Sequence, residues 1–382
     1  MSSSSRHFRW LVSALALTAS LVAPVAAQST CNGHAEFCDR SYSNVSVIGA
    51  HNSYGVSKGN LAANQNYTVA TQLDNGVRML QVQGHINGND LHLCHTSCFL
   101  LDAGTFTSYL STVKTWLDNN PDEVITLLLV NSDGIAPPVW AQSYTDSGLS
   151  KYVYTPANVP IAYSEWPTLR EMINAGTRVV SFLAQNADVS SVPYLIDEFT
   201  NIWETPYDVT DNAFPCTVDR VTGSPENKMA LGLVISQYLI NHFLDVNMTL
   251  LGTTIPVPAT QELETTNAAT GTGSLGAQAS ECVAQHGYNP TFTLVDYYDV
   301  GDGSVFEYTA KLNGVSYVAE PIGNGTTTSS SNSPKSSGSG TSGSGSVTSS
   351  ELTGGAMSAA MLSTTGMAMA AAAAGGLLVL LA

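Results

Sequence analysis

Val124-Ile-Thr-Leu-Leu-Leu-Val130 is a continuous apolar run broken by a single threonine. A run this short and this apolar reads as a strand covered on both faces, the pattern of a parallel sheet under helices. Just before it, Phe106, Tyr109, Val113, Trp116 and Leu117 recur at helical spacing, and Pro121 stops that helix. Further on, Leu169 to Ile173 reads as a helix closed by Gly176, followed by a strand from Arg178 to Leu183. Strand, helix, strand in succession argues for parallel βαβ units.

The same alternation extends outward. Val45 to Ile48 is a β-rich run ending at Gly49, and Tyr67 to Leu73 is a helix closed by Asn75-Gly76. Val77 to Val82, Leu91 to Cys94, Asn201 to Trp203, Leu231 to Ile235 and Phe292 to Val295 read as further strands. Eight candidate strands predict an α/β fold, a (β/α)8 TIM-type barrel over residues 28–322. An open doubly wound sheet is the competing arrangement, but the chain carries no dinucleotide glycine fingerprint. The Thr-, Asn-, Gly- and Ala-rich segment 255–280 reads as a long loop.

The two ends of the chain speak of export. Arg6 and Arg9 precede an apolar core from Trp10 to Val25, and Val25-Ala26-Ala27 offers a cleavage site, so residues 1–27 read as a signal peptide rather than a spanning anchor. Residues 323–354 form a Ser/Gly-rich stalk that cannot bury enough apolar surface to fold. Gly354-Gly355-Ala356, a spacer and an apolar tail ending at Ala382 match a glycosylphosphatidylinositol signal, with Gly354 as the attachment residue, Ser349 and Ser350 as rivals, and 355–382 as the removed propeptide. This places the chain on the extracellular face of the plasma membrane or in the cell wall, tied to the outer leaflet. Six cysteines, an even count, point to disulfides. Proximity suggests Cys31–Cys38 and Cys94–Cys98, leaving Cys216–Cys282; zinc binding competes, but no CxxC pair is present. Asn44, Asn66, Asn247 and Asn324 head Asn-x-Ser/Thr sequons. A net charge of −17 argues against a nucleic-acid partner.

In a barrel, chemistry belongs at the C-terminal ends of the strands. His51 and Asn52 follow the first strand and His95 the third. Gln81 and Gln83 point the same way from the second, and Asp296 closes the last, beside the first. Glu204 and Asp208 follow the sixth, whereas Asp122 and Glu123 precede a strand and read as solvated caps on the opposite face. Two histidines at one mouth suit a general base and a general acid, because imidazole titrates near neutrality, and Asp296 could orient His51. His34, His85, His92, His242 and His286 read as hydrogen-bonded packing residues.

Ser46-Val-Ile-Gly-Ala-His51-Asn52-Ser53, Gly76-Val-Arg78-Met-Leu-Gln81-Val-Gln83 and Leu91-His-Leu-Cys-His95 resemble the X region of phosphatidylinositol-specific phospholipases C. Trp116-Leu117, Asn120-Pro121-Asp122-Glu123-Val124 and Val295-Asp296-Tyr297 fit the same family, and Cys94-His-Thr-Ser-Cys98 is similar to the fungal secreted PLC-like phosphodiesterases. The resemblance covers most of 40–318. It implies inositol phosphodiester cleavage, with His51 taking the proton of the inositol 2-hydroxyl and His95 protonating the leaving oxygen. Asn52, Gln81, Gln83 and Glu204 are then candidates for substrate binding. Bacterial members of the family place an arginine on the second strand, beside an aspartate, and animal members bind calcium through carboxylates there. This chain has Gln81 and Gln83 instead, and loss of one preorganised stabiliser costs about 10²–10³ in rate.

Three functions compete on this reading: a phosphodiesterase acting on a lipid or glycolipid, a non-catalytic barrel that binds a glycan or lipid headgroup, and a glycosidase built on Glu204 and Asp208. An Arg or Lys reaching the mouth from a loop favours the first; histidines held far apart in an aromatic pocket favour the second. No cofactor and no metal are expected, since amide oxygens are poor calcium ligands; a site built from Asp74 and Asp296 is the way calcium could still bind.

Overall fold

Strand β5 (Ile125–Val130) is buried at every residue but its last. This computed structural model describes residues 29–222, 237–250 and 253–323. Eight strands form a parallel ladder in the order β7 (Leu195–Asp197), β6 (Val179–Leu183), β5, β2 (Met79–Asn87), β1 (Val47–Ala50), β12 (Phe292–Val295), β9 (Gln237–Asn241) and β8 (Ile202–Glu204). The first strand and the last lie side by side, Gly49 opposite Leu294, as the barrel reading requires. The expected full closure is not reached: among the described residues no pairing joins β7 to β8. Both strands are short, and the chain between them turns on itself through Asn201 N–H and Ile202 N–H to the Glu198 carbonyl. The result is a curled, open barrel.

Period-two alternation divides the core. Leu128, Val180, Phe182, Leu239, Phe292 and Leu294 pack in one cluster, inside the curl. Ile125, Leu127, Leu129, Val179 and Leu183 pack in another, against the helices. The amphipathic helix α2 (Phe106–Asn119) delivers Phe106, Leu110, Val113, Trp116 and Leu117 to the outer cluster. Helix α1 (Val69–Asp74) connects β1 to β2, and α3 (Pro137–Ser147) and α4 (Leu169–Ala175) connect β5 to β6. A capping box of Thr168 and Glu171 starts α4, and Gly176 ends it at φ 74°. Tyr42 and Trp166 belong to the inner cluster, their rings tilted 33° with centroids 4.7 Å apart, and the Tyr42 hydroxyl meets the Thr126 hydroxyl at 2.6 Å.

Several expectations need correction. Leu91 to Cys94 is not a stave of the barrel. The second half of β2 runs past the barrel rim, turns at Gly88, and returns as β3 (Asp90–Cys94), antiparallel to β2; β4 (Asp102–Thr105) continues that sheet. Segment 255–280 is not a loop. It holds most of β11 (Thr253–Pro258), which pairs with β10 (Asp245–Leu250), then the short helix α5 (Leu263–Thr266) and the start of α6 (Leu275–His286). The small residues there serve packing rather than a loop: α6 buries Leu275, Gly276 and Ala279. Helix α7 (Ser304–Asn313) follows β12. Leu231 to Ile235 lies outside the described residues; the strand observed nearby is β9. Glu123 is not a solvated cap, because Arg78 Nε donates to its carboxylate at 2.7 Å.

All three expected disulfides form: Cys31–Cys38 and Cys94–Cys98, paired by proximity, and Cys216–Cys282, paired by elimination. Asn44, Asn66 and Asn247 are exposed, while Asn324 and Gly354 lie outside the described residues.

Candidate active site

The alternation that fills the barrel also furnishes its mouth. One step beyond inward-facing Gly49, Met79, Ile202, Leu239 and Leu294, the same parity yields His51, Gln81, Glu204, Asn241 and Asp296. The polar site is the topmost layer of a stack whose lower layers are apolar.

His51 and Asp296 meet because β1 and β12 are neighbours. His51 Nδ1 lies 2.9 Å from Asp296 Oδ1, and Asn64 Nδ2 donates to the same oxygen at 3.0 Å. The carboxylate can only accept, so His51 carries its proton on Nδ1 and presents Nε2. Its ring stacks on Phe243 with centroids 3.8 Å apart and planes 8° from parallel. His95 is held in the corresponding way: Nδ1 donates to the Ala62 carbonyl at 2.6 Å, leaving Nε2 free to act. The two rings stand 6.5 Å apart, edge to face. Between them sits the Asn52 amide, whose Nδ2 is 3.1 Å from His51 Nε2 and 3.3 Å from His95 Nε2. The Asn52 carbonyl oxygen is in turn fixed by the Tyr54 hydroxyl at 3.1 Å.

His95 reaches this mouth by an unexpected route. β3 runs back toward the barrel, so its C-terminal end descends onto the rim that β2 ascends to. The Cys94–Cys98 disulfide closes the loop that carries it. Each of the three residues is followed by a non-glycine residue at positive φ: Asn52 at 40°, Thr96 at 59° and Tyr297 at 44°. Such positions cost about 1–3 kcal/mol each and cluster where surrounding structure enforces a working geometry.

Gln81 and Gln83 anchor these loops. Gln81 Oε1 accepts from Asn52 N–H at 2.6 Å, and Gln83 Oε1 accepts from Thr96 N–H at 3.0 Å. Their carbonyls are thus engaged by backbone, and the pair does not fit a calcium site. Asp74 does not contribute one either. It accepts from Trp116 Nε1 at 2.7 Å at the far end of α1, and borders a cavity with Ser46, Val47 and Arg78 at the N-terminal end of the strands. Cys94, Cys98 and Asp102 are the one acidic or metal-ligating trio close enough to share an ion among the described residues, and both its sulfurs are tied in a disulfide.

Glu204 is fully buried and bound by Arg220, whose Nε donates to Oε2 at 2.8 Å; Asn241 Nδ2 adds a bond at 3.1 Å. Burial favours the neutral form of both Glu198 and Glu204, but Arg220 holds Glu204 down while Glu198, beside that charge, is pushed well up. The guanidinium lies over Tyr207, 4.2 Å from the ring centroid. Glu204 is therefore tied up as an ion-pair partner of Arg220. Burial raises Asp208, whereas His51, Arg220 and His95 draw it down. Burial lowers His51, but the charge and hydrogen bond of Asp296 outweigh it, and the net shift is upward. His95 is shifted down, chiefly by burial and further by His51. Asp245 is pushed up to about 7 by burial and by Asp296.

Asn64, the Ala62 carbonyl, Phe243, Asp245 and Arg220 were not legible as site residues. They come from loops and a hairpin with no motif around them. Among the described residues the five other histidines have partners: His85 with Asp133, His92 with Asp102, His242 with Gln278 and Thr266, His286 with the Cys216 carbonyl, and His34 against Phe37.

The PI-PLC X family model matches residues 37–313. Two proteins of the fungus Arthroderma benhamiae are similar. One, named an uncharacterized secreted protein, is 45% identical over 302 residues, covering 78% of this chain and 67% of its own. The other, named PI-PLC X domain-containing protein 1, is 42% identical over 318 residues, covering 82% and 99%. Among solved structures, a mutant of the phosphatidylinositol-specific phospholipase C of Staphylococcus aureus aligns with a TM-score of 0.46 at 14% identity, over 73% of this chain and 95% of that one.

Proposed function

Since the chain belongs to the PI-PLC X family, we propose that it is a phosphoric diester hydrolase acting on an inositol phospholipid or a related phosphodiester, with His51 as general base and His95 as general acid. The observation that carries this reading is the convergence of both Nε2 atoms on one amide, Asn52 Nδ2. A phosphodiester seated there is within reach of both. His51 takes the proton of a neighbouring hydroxyl as its oxygen bonds to phosphorus. The bond from phosphorus to the leaving oxygen breaks, and that oxygen receives the proton of His95 Nε2. Asn52 supplies a neutral donor to a phosphoryl oxygen, and Arg220 a cation from a loop. Gln81, Gln83 and Glu204 serve the substrate indirectly in this reading, by fixing Asn52, the His95 loop and Arg220.

A weak or inactive barrel that binds a glycan or lipid headgroup is the second reading. It is favoured by one observation: Asp208, Asp245 and Asp296 all lie in the field of His51, while Arg220 is already neutralised by Glu204. Purified protein assayed on phosphatidylinositol vesicles, with and without chelator and beside His51→Ala, separates the two. Turnover that persists in chelator and vanishes in the variant supports the enzyme; no turnover in the wild type sinks it.

We further propose export through the leader 1–27 and anchoring at Gly354. Three disulfides and a relative named as secreted support export.

A further inference from the structure

Beside the mouth lies a groove of about 720 Å³, between the β1–α1 loop and the β10–β11 hairpin. Leu61, Ala63, Val246, Met248 and Val257 line it, with Gln65 among them. We propose that this groove receives the acyl chain of the leaving alcohol, so that the substrate is an amphiphile whose chain is held by the protein itself. The proposal rests on the phosphodiesterase reading and names the leaving-group side of its substrate.

Three observations carry it. The first is continuity. Residues 62–65 form a partition with one side on the chemistry and the other on the groove. The Ala62 carbonyl orients His95, Asn64 binds Asp296, and Gln65 Nε2 donates to the His51 carbonyl at 2.8 Å. Ala63 and Gln65 also line the groove. A chain leaving the oxygen protonated by His95 can therefore pass over this partition into the groove. The second is an unpaired acceptor. Gln65 is 2% exposed, and its amide nitrogen is spent on the His51 and Val295 carbonyls, yet its Oε1 has no hydrogen-bond partner among the described residues. Buried polar atoms are nearly always paired, so this one marks a place for a donor such as a free hydroxyl of a glyceride. The third is uncovered apolar surface on both rims: Leu61 is 54% and Val246 46% exposed. The volume lies within the range of small-molecule sites.

The test uses 1-monodecanoylglycerol as the probe, titrated calorimetrically into the secreted protein below its aggregation threshold, beside 1-monooctanoylglycerol. Saturable one-to-one binding is expected. Each buried methylene is worth about fourfold, so the longer chain should bind roughly 15-fold tighter. Val246→Asp, an exposed rim change that leaves the core untouched, should weaken binding at least tenfold, and Met248→Asp should do the same. His51→Ala should bind as the wild type does, which separates the groove from the chemistry. Wild type that hydrolyses phosphatidylinositol yet shows no saturable binding, or binding indifferent to chain length and to Val246→Asp, overturns the groove and leaves the phosphodiesterase reading standing. Binding with no hydrolysis of any diester keeps the groove as a chain-binding site and removes its role for a leaving group.

Discussion

His51 Nδ1 and Asp296 Oδ1 stand 2.9 Å apart although 245 positions separate them in the chain. The parallel pairing of Ala50 with Val295 brings them together, and Asn64 and Phe243 fix the geometry from either side. Asp296→Asn should lower turnover by about two to four orders of magnitude, by mis-setting the imidazole tautomer. The pH–rate profile of the pair should be bell-shaped, since the reactive form holds one proton between two histidines. His51 is the tighter proton site, so it dominates the basic limb. Removing the Asp296 charge should move that limb to lower pH and narrow the bell. An unmoved basic limb would detach Asp296 from the titration.

The roles of the two histidines can be separated by the leaving group. A 4-nitrophenyl inositol phosphate needs little help from a general acid. His95→Ala should therefore recover most of its lost rate on that substrate relative to a lipid, and His51→Ala should recover none. The reverse pattern would exchange the two roles.

Asp245 has its carboxyl pushed up to about 7, against an unfolded value near 3.8. The native state binds this proton more tightly than the unfolded state does. Its contribution to stability is therefore fully present below the unfolded value and is lost as pH rises through about 7. A shift of this size corresponds to a few kcal/mol, roughly 4 at most. Asp245→Asn should raise the melting temperature at pH 8 and leave it nearly unchanged at pH 4. Equal melting temperatures at pH 8 would refute the burial argument.

The Cys94–Cys98 bridge closes a short loop, so its entropic effect on global stability is modest, but it fixes the loop bearing His95. The Cys94→Ala/Cys98→Ala double variant should lose at least tenfold in turnover while its melting temperature shifts by only a few degrees. A large loss of stability with unchanged turnover of the folded fraction is the contrary result.

The anchor prediction rests on Gly354-Gly355-Ala356 and the uncharged apolar end. An anchor-cleaving phospholipase should release the protein from intact cells, and a tag placed after Ala382 should be missing from the mature form. Retention of that tag would show that the tail is not removed.

The sequence alone determined the parts governed by short-range periodicity. Val124 to Val130, the α2 stripe and the Gly176 cap each state their structure within a dozen residues, because burial of one face is a local pattern. It also determined that His51 and Asp296 end adjacent strands, and which cysteines pair by nearness. The tertiary structure decided the rest. β3 reads as a barrel strand because a rim hairpin and a stave have the same alternation; only the antiparallel return of β2 brings His95 down to the mouth. Small residues in α6 look like a loop until a close neighbour makes their size useful. Asn64, Phe243, Asp245 and Arg220 stand among loops and a hairpin with no motif around them, and their meaning is a distance to His51 or Glu204. Such distances come from closing long stretches of chain between strands, and no local pattern encodes where a closed loop will point.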